Sequence, residues 1–188
     1  MNQQPQNDKQ EMQGAFNLGT FLLNGHATCL TPFIRTDFGK EAVGFNGLAA
    51  FFIILLYGGL TNSYPMFIFL CVWMLAVLRQ RIKQFQNWKN GVVTHSRYNG
   101  FSWLAFKLFP RIKDDATARG ADGFICMTVG GLLTYVDPAL GGFIGVGGIS
   151  LLLVEALIGE LRKKRLQAMR DAEIEQRDLA EHYRQGRF

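Results

Sequence analysis

The chain has 188 residues, 48% of them hydrophobic, and a formal net charge of +5. Its length suits one soluble domain, but apolar residues are gathered into long blocks and charges into the segments between them. That arrangement excludes the interleaved apolar and polar pattern of a soluble fold. The basic balance does not imply nucleic acid, because Lys and Arg also collect in the retained loops of membrane proteins and beside anionic headgroups.

The start, MNQQPQNDKQEMQG, is polar and near neutral. It lacks the basic n-region and apolar h-region of a signal peptide, and Asn2 stands where myristoylation needs glycine. Residues 14–34 are apolar but interrupted by Asn24, Gly25, His26 and Pro32. They are expected as a segment lying in the membrane interface or tucked against the bundle, so that residues 1–41 form a polar tail plus an interfacial segment; the alternative is a fifth span, which puts the N-terminus outside.

Four apolar blocks follow, at residues 42–60, 64–78, 121–136 and 139–158. A helix of about 20 apolar residues crosses a hydrocarbon core of about 30 Å. The first and fourth blocks meet that length. The second and third are short, but each is joined to a longer partner by only a few residues, and a bilayer thins locally at small cost. The fold class expected is an all-α membrane protein of about four transmembrane helices in two hairpins, 42–78 and 121–158, with interfacial helices and a cytoplasmic C-terminal helix.

The short turns 61–63 and 137–138 contain no Lys or Arg, whereas residues 79–120 and the tail from 159 are rich in both. By the positive-inside rule both ends face the cytoplasm, N-in and C-in. The location expected is a bacterial plasma membrane.

Within 79–120, Ile82, Phe85 and Trp88 recur at every third residue beside basic side chains. Phe101, Trp103, Phe106, Lys107 and Phe109 suit a short helix at headgroup level, ended by Pro110. The tail 159–188 reads as a charged helix with Glu173 and Arg177 four apart. Its apolar stripe, Leu161, Ala168, Ala172, Leu179 and Tyr183, is too thin for an independent coiled coil.

Gly141, Gly145 and Gly148 fall on one face of the fourth block, and Gly123 and Gly130 are seven apart on the third. Such small residues let membrane helices approach closely, within one chain or between copies. Glu155 is the only ionisable residue deep in the fourth block, a candidate for ion or proton binding, although it lies near the Arg162–Arg165 cluster, to which it can reach. Asp137 and Pro138 suit the cap and first turn of the fourth helix, and Asp122 is expected at the start of the third, against its dipole.

Cys29, Cys71 and Cys126 have no CxxC spacing, and His26, His95 and His182 have no evident companion ligands, so neither metal nor cofactor is expected. No phosphate loop, GxSxG or HExxH occurs, and the paired polar residues that intramembrane catalysis needs, such as Ser with His or two Asp, are expected to be absent from the spans. The function expected is therefore a non-enzymatic polytopic membrane subunit that scaffolds or anchors a larger assembly. Its contacts would run through Trp88, Trp103, Phe106 and Lys107 and through Arg162, Lys163, Lys164 and Arg165. The partners would be anionic headgroups and other subunits or further copies, not nucleic acid. The alternative is a homo-oligomeric pore or small transporter, with Asn46, Thr128 and Ser150 as its polar lining.

Overall fold

The computed structural model describes residues 4–39, 44–92 and 98–186, with the side chains of 4–12 left out. All its elements are helices: α1 Gln4–Ile34, α2 Gly44–Thr61, α3 Tyr64–Lys89, α4 Trp103–Leu108, α5 Asp115–Leu133 and α6 Pro138–Arg184. The only strand-like pairing among the described residues is an antiparallel bridge between Thr36 and Phe101. The chain divides into two compact units, Met1–Val154 and Glu155–Phe188.

In the first unit, α2 and α3 form a tight hairpin. Asn62 turns the chain with φ 49°, a left-handed value that asparagine tolerates better than most residues. Ser63 precedes α3 and a proline stands in its first turn, where its missing N–H costs nothing. At the second hairpin the Asp137 carboxylate accepts from the Leu140 backbone N–H at 2.6 Å and from the Ser63 hydroxyl at 3.2 Å. One side chain thus caps α6 and ties the two turns together, so that both hairpins close at the same end of the unit.

By length and composition, three helices can cross a bilayer: α2, α3 and α6. The sequence suggested four spans. The block at 121–136 lies mostly in α5, which begins six residues earlier at Asp115 and gives way to a turn after Leu133. Its first two turns hold Asp115, Arg119 and Asp122, and this polar start leaves α5 outside the three that qualify by length and composition alone.

Two of the three apolar helices, α2 and α3, are sparsely covered by protein. Only 22% of the apolar window of α2, and the same of α3, is buried. Leu56, Phe67, Ile68 and Leu75 are among the large apolar side chains left outside. A water-soluble surface does not carry contiguous apolar area on this scale, whereas hydrocarbon solvates it. These features mark an integral membrane protein.

The core of this unit gathers Cys29 of α1, Ala50 and Ile54 of α2, Met66, Leu70 and Trp73 of α3, and Phe143 of α6. Residues 14–34 are therefore helical and, in their second half, enclosed by other helices. Polar side chains here bond within the protein: Asn24 donates to the Thr20 carbonyl at 2.8 Å, and Thr28 to the Asn24 carbonyl at 2.7 Å. The Trp73 indole N–H donates to the Thr28 carbonyl at 3.2 Å. In a medium without water, such pairing removes a cost of several kcal/mol per group.

In the second unit the described residues are helical through Arg184 and exposed from Glu160 onward. Arg177 pairs with Glu173 at 2.7 Å and Lys163 with Glu160 at 2.8 Å. These solvated pairs contribute little to stability, because water and salt screen them.

Candidate functional site

The densest polar constellation forms where α1 ends, among α3, α4 and α5. The chain leaves α1 at Arg35, and residues 36–39 run beside residues 98–101. Thr36 and Phe101 exchange backbone hydrogen bonds at 2.9 and 2.6 Å, and the Gly39 N–H donates to the Tyr98 carbonyl at 2.8 Å. Gly100 makes this pairing possible. Its φ is +83°, and a Cβ there would lie 2.9 Å from the Thr36 carbonyl oxygen, so neither the conformation nor the space admits a larger residue.

Amides from α3 hold the same segment. Gln80 donates to the Arg35 carbonyl at 3.0 Å, and Gln84 to the carbonyls of Phe38 and Gly39 at 3.1 and 3.0 Å. Lys83 pairs with Asp37 at 2.9 Å. Partial burial pushes the Asp37 carboxyl up, but the Lys83 hydrogen bond and charge, with hydrogen bonds from Thr36 and Asn87, outweigh this and hold it below its ordinary value.

At the centre lies an ion pair removed from solvent. Arg35 Nε is 2.9 Å from Asp122 Oδ2, with the two side chains 2% and 0% exposed. The Ser102 hydroxyl donates to the same oxygen at 2.7 Å. Beside them Arg119, 2% exposed, pairs with Asp115 at 2.7 Å, and its guanidinium lies 5.5 Å from the centre of the Tyr98 ring. Charges this deeply buried persist only when paired and hydrogen-bonded. The junction thus locks α1, α3, α4 and α5 to one another.

This corrects the reading of Asp122. It is not at the start of α5, where Asp114 is the cap, accepting from the Thr117 N–H at 3.2 Å. Asp122 lies two turns in and serves Arg35.

A second polar pair lies inside the bundle. The Ser150 hydroxyl is 3.0 Å from His26 Nδ1, and His26 Nε2 is 3.2 Å from the Phe143 carbonyl oxygen. With Nε2 protonated and donating to Phe143, Nδ1 accepts from Ser150. The pairing of Ser with His that the sequence did not reveal is therefore present, contributed by α1 and α6. Ser150 is 4% exposed, its hydroxyl also faces the Val146 carbonyl at 3.2 Å, and neither residue lines one of the larger cavities. The geometry joins α1 to α6. Ser150→Ala is expected to destabilise the detergent-solubilised protein by about 1 kcal/mol, read as a lowered thermal midpoint, because one neutral hydrogen bond is lost while Nε2 stays bonded.

The glycines expected at helix contacts separate into distinct roles. Gly123, Gly130, Gly141 and Gly148 lie between α5 and α6: a Cβ on Gly130 would meet the backbone of Gly145, one on Gly141 the backbone of Thr134, and one on Gly148 the carbonyl of Gly123 at 2.7 Å. A Cβ on Gly145 itself would meet nothing within 4 Å. Gly147, not singled out in the sequence, faces α1, where a Cβ would approach Leu30 to 2.6 Å.

The interfacial candidates are placed differently from a loop. Residues 79–89 belong to α3, and the Trp88 ring packs tilted against Phe85 at 5.7 Å between centroids. Trp103, Phe106 and Lys107 lie in α4, a short helix as expected, with Phe106 stacked on Phe101 at 4.9 Å. Arg162, Lys163, Lys164 and Arg165 are exposed in the second unit, and Glu155, its first residue, is half-buried. Thr128 is exposed but donates to its own helix at 2.9 Å, and Asn46 is half-buried in α2. His95 lies outside the described residues. Among the described residues no group of three or more His, Cys, Asp or Glu could hold a metal ion.

Compared with family models, with curated proteins and with solved structures, the chain matches none.

Proposed function

We propose that the chain is a non-enzymatic membrane subunit that anchors a larger assembly through its basic aromatic segment and its C-terminal helix. The observation that carries this reading is the uncovered apolar face of the second unit. Leu161, Met169, Leu179 and Tyr183 are each more than half exposed, and they recur at helical spacing beside Ala168 and Ala172. Keeping such side chains in water along a long helix is unfavourable unless a partner covers them.

The charges of this helix are also segregated. Residues 159–170 hold five basic groups and one acidic, a balance of +4; residues 171–181 hold five acidic and one basic, a balance of −4. The first stretch suits anionic headgroups, and the second suits a basic partner surface.

We place the chain in a bacterial plasma membrane, N-in and C-in, with α2, α3, α5 and α6 as spans and α1 as an embedded but non-spanning helix. Support for the last point comes from its neighbours. Phe21 packs tilted against Phe45 at the start of α2, and Arg35 meets Gln80 in the second half of α3 and Asp122 in the second turn of α5. In two antiparallel hairpins these positions all lie toward the end opposite the turns. A cysteine at Thr61, in a chain lacking Cys29, Cys71 and Cys126, is then labelled by an impermeant maleimide from outside intact cells; labelling only after lysis reverses the topology.

The anchoring reading predicts that deleting residues 166–188 leaves membrane insertion unchanged but releases a protein that co-purifies stoichiometrically with the full chain. Retention of every subunit by the truncated chain would remove the tail from the interface. Recovery of the full chain as a pure homo-oligomer favours the pore, whose weakness is that Thr128 and Ser150 direct their hydroxyls to groups within the chain.

A further inference from the structure

We propose that the groove along one face of α3 is a binding site for a single anionic phospholipid. This rests on insertion in a membrane and is independent of the anchoring role.

Two cavities lie end to end on that face. The first, about 420 Å³, is bounded by Pro65, Ile68, Phe69 and Val72 of α3, with Leu30 and Phe33 of α1 behind and Ile125 and Val129 of α5 opposite. No charged or hydrogen-bonding side chain other than Cys126 lines it. The second, about 780 Å³, shares Phe33 and continues past Leu75, Ala76 and Arg79 to Lys83 and Gln86, with Trp103 at its edge. The α3 residues advance by three or four, so they form one continuous stripe.

The dimensions fit a lipid. From Pro65 to Ala76 the stripe is apolar throughout and rises about 17 Å at 1.5 Å per residue, the scale of one extended acyl chain. Arg79 and Lys83 follow, one turn apart, at the level where the polar junction begins. No Asp or Glu lines either cavity. Lys83 is held by Asp37 at 2.9 Å, whereas Arg79 is exposed and makes no ion pair among the described residues. A guanidinium presents several donors in a planar fork that matches phosphate, and Trp103 is an amphipathic ring suited to that depth.

An apolar trough alone accepts any acyl chain. The cations at one end of it select headgroup charge. A lipid bound here wedges between α3 and α5, which face one another across the groove.

The test is native mass spectrometry of the full chain, delipidated in mild detergent and titrated with phosphatidylglycerol or with phosphatidylcholine of the same chains. The first phosphatidylglycerol is expected to bind about fivefold or more tighter than the first phosphatidylcholine, the scale of one basic side chain at a headgroup. Arg79→Gln, at an exposed position that leaves the fold intact, should abolish that preference. Val72→Trp, which fills the trough, should weaken the first site for both lipids. Equal binding of the two lipids by the wild type, or an unchanged preference in Arg79→Gln, overturns the proposal. Loss of preference in Arg79→Gln with no effect of Val72→Trp also overturns it, because the headgroup contact then stands without the groove.

Discussion

Replacing Asp122 by alanine is expected to lower the unfolding free energy of the detergent-solubilised protein by about 3–5 kcal/mol, the largest loss for any single side chain in the bundle. The cause is the neighbour left behind more than the bond removed. Arg35 is 2% exposed, and Asp122 is the acceptor for its Nε at 2.9 Å. A guanidinium cannot shed its proton to escape burial, so the variant leaves a fixed charge in the junction without its Asp122 carboxylate. Ser102, buried completely, loses its 2.7 Å acceptor at the same time. Asp122→Asn should fall between the two states, because an amide keeps the shape and still accepts from Ser102 but carries no charge. The double variant Arg35→Met with Asp122→Leu should regain most of the loss, since an apolar pair of similar volume often equals or exceeds a buried ion pair. Stepwise unfolding in mixed detergent micelles measures all three. A loss below about 1 kcal/mol for Asp122→Ala would put the pair among weakly stabilising surface bridges, contrary to its burial.

The helical hairpins were legible because hydrocarbon solubility is written as block composition, and block composition survives without knowledge of any contact. The turns 61–63 and 137–138, the short helix at Trp103–Leu108 and the Glu173–Arg177 pair depend on neighbours a few residues apart, and local spacing exposes them. The polar junction was not legible. Arg35 and Asp122 are 87 residues apart, and each has an adequate local explanation, as a basic flank of a span and as a charge near a helix start. Only the course of α1 brings them together. Positions 26 and 150 present the same problem: His26 sits in a segment broken enough in pattern to pass for an interfacial loop, and nothing in its sequence neighbourhood points to α6.

A usable signal did exist. Asn24, His26, Thr28 and Cys29 are clustered on an otherwise apolar segment, and a surface-lying helix would turn such groups to one polar side. Here the His26 ring bonds to Ser150 and to the α6 backbone, the Thr28 hydroxyl turns back to the Asn24 carbonyl, and the Trp73 indole reaches the Thr28 carbonyl from α3, which is the pattern of a helix enclosed on several sides. The middle region was misjudged for a related reason. Basic residues from Arg79 onward suggested a loop, but Lys and Arg favour helix, and α3 simply continues out of its apolar stretch as far as Lys89, where Asn90 and Gly91, with φ +71°, end it.

A paired substitution at the α5–α6 contact should separate two meanings of a membrane glycine. Gly130→Ala places a methyl against the amide nitrogen and Cα of Gly145. Backbone cannot rotate aside as a side chain does, so the helices must part locally, at a cost of about 1–3 kcal/mol, with further loss from contacts at Gly123 and Gly148 on the same seam. Gly145→Ala places its methyl in open space and should be neutral, or stabilising by up to about 0.5–1 kcal/mol through better helix propensity. Both positions belong to the same close approach, but Gly130 supplies the missing side chain and Gly145 the backbone that occupies the gap. Spacing alone groups Gly141, Gly145 and Gly148 as one face, whereas the direction of each Cβ separates them. Unfolding in mixed micelles gives the two free energies, and equal losses at the two positions would mean that a second surface covers Gly145, the result expected if copies of the chain associate through this side of α6.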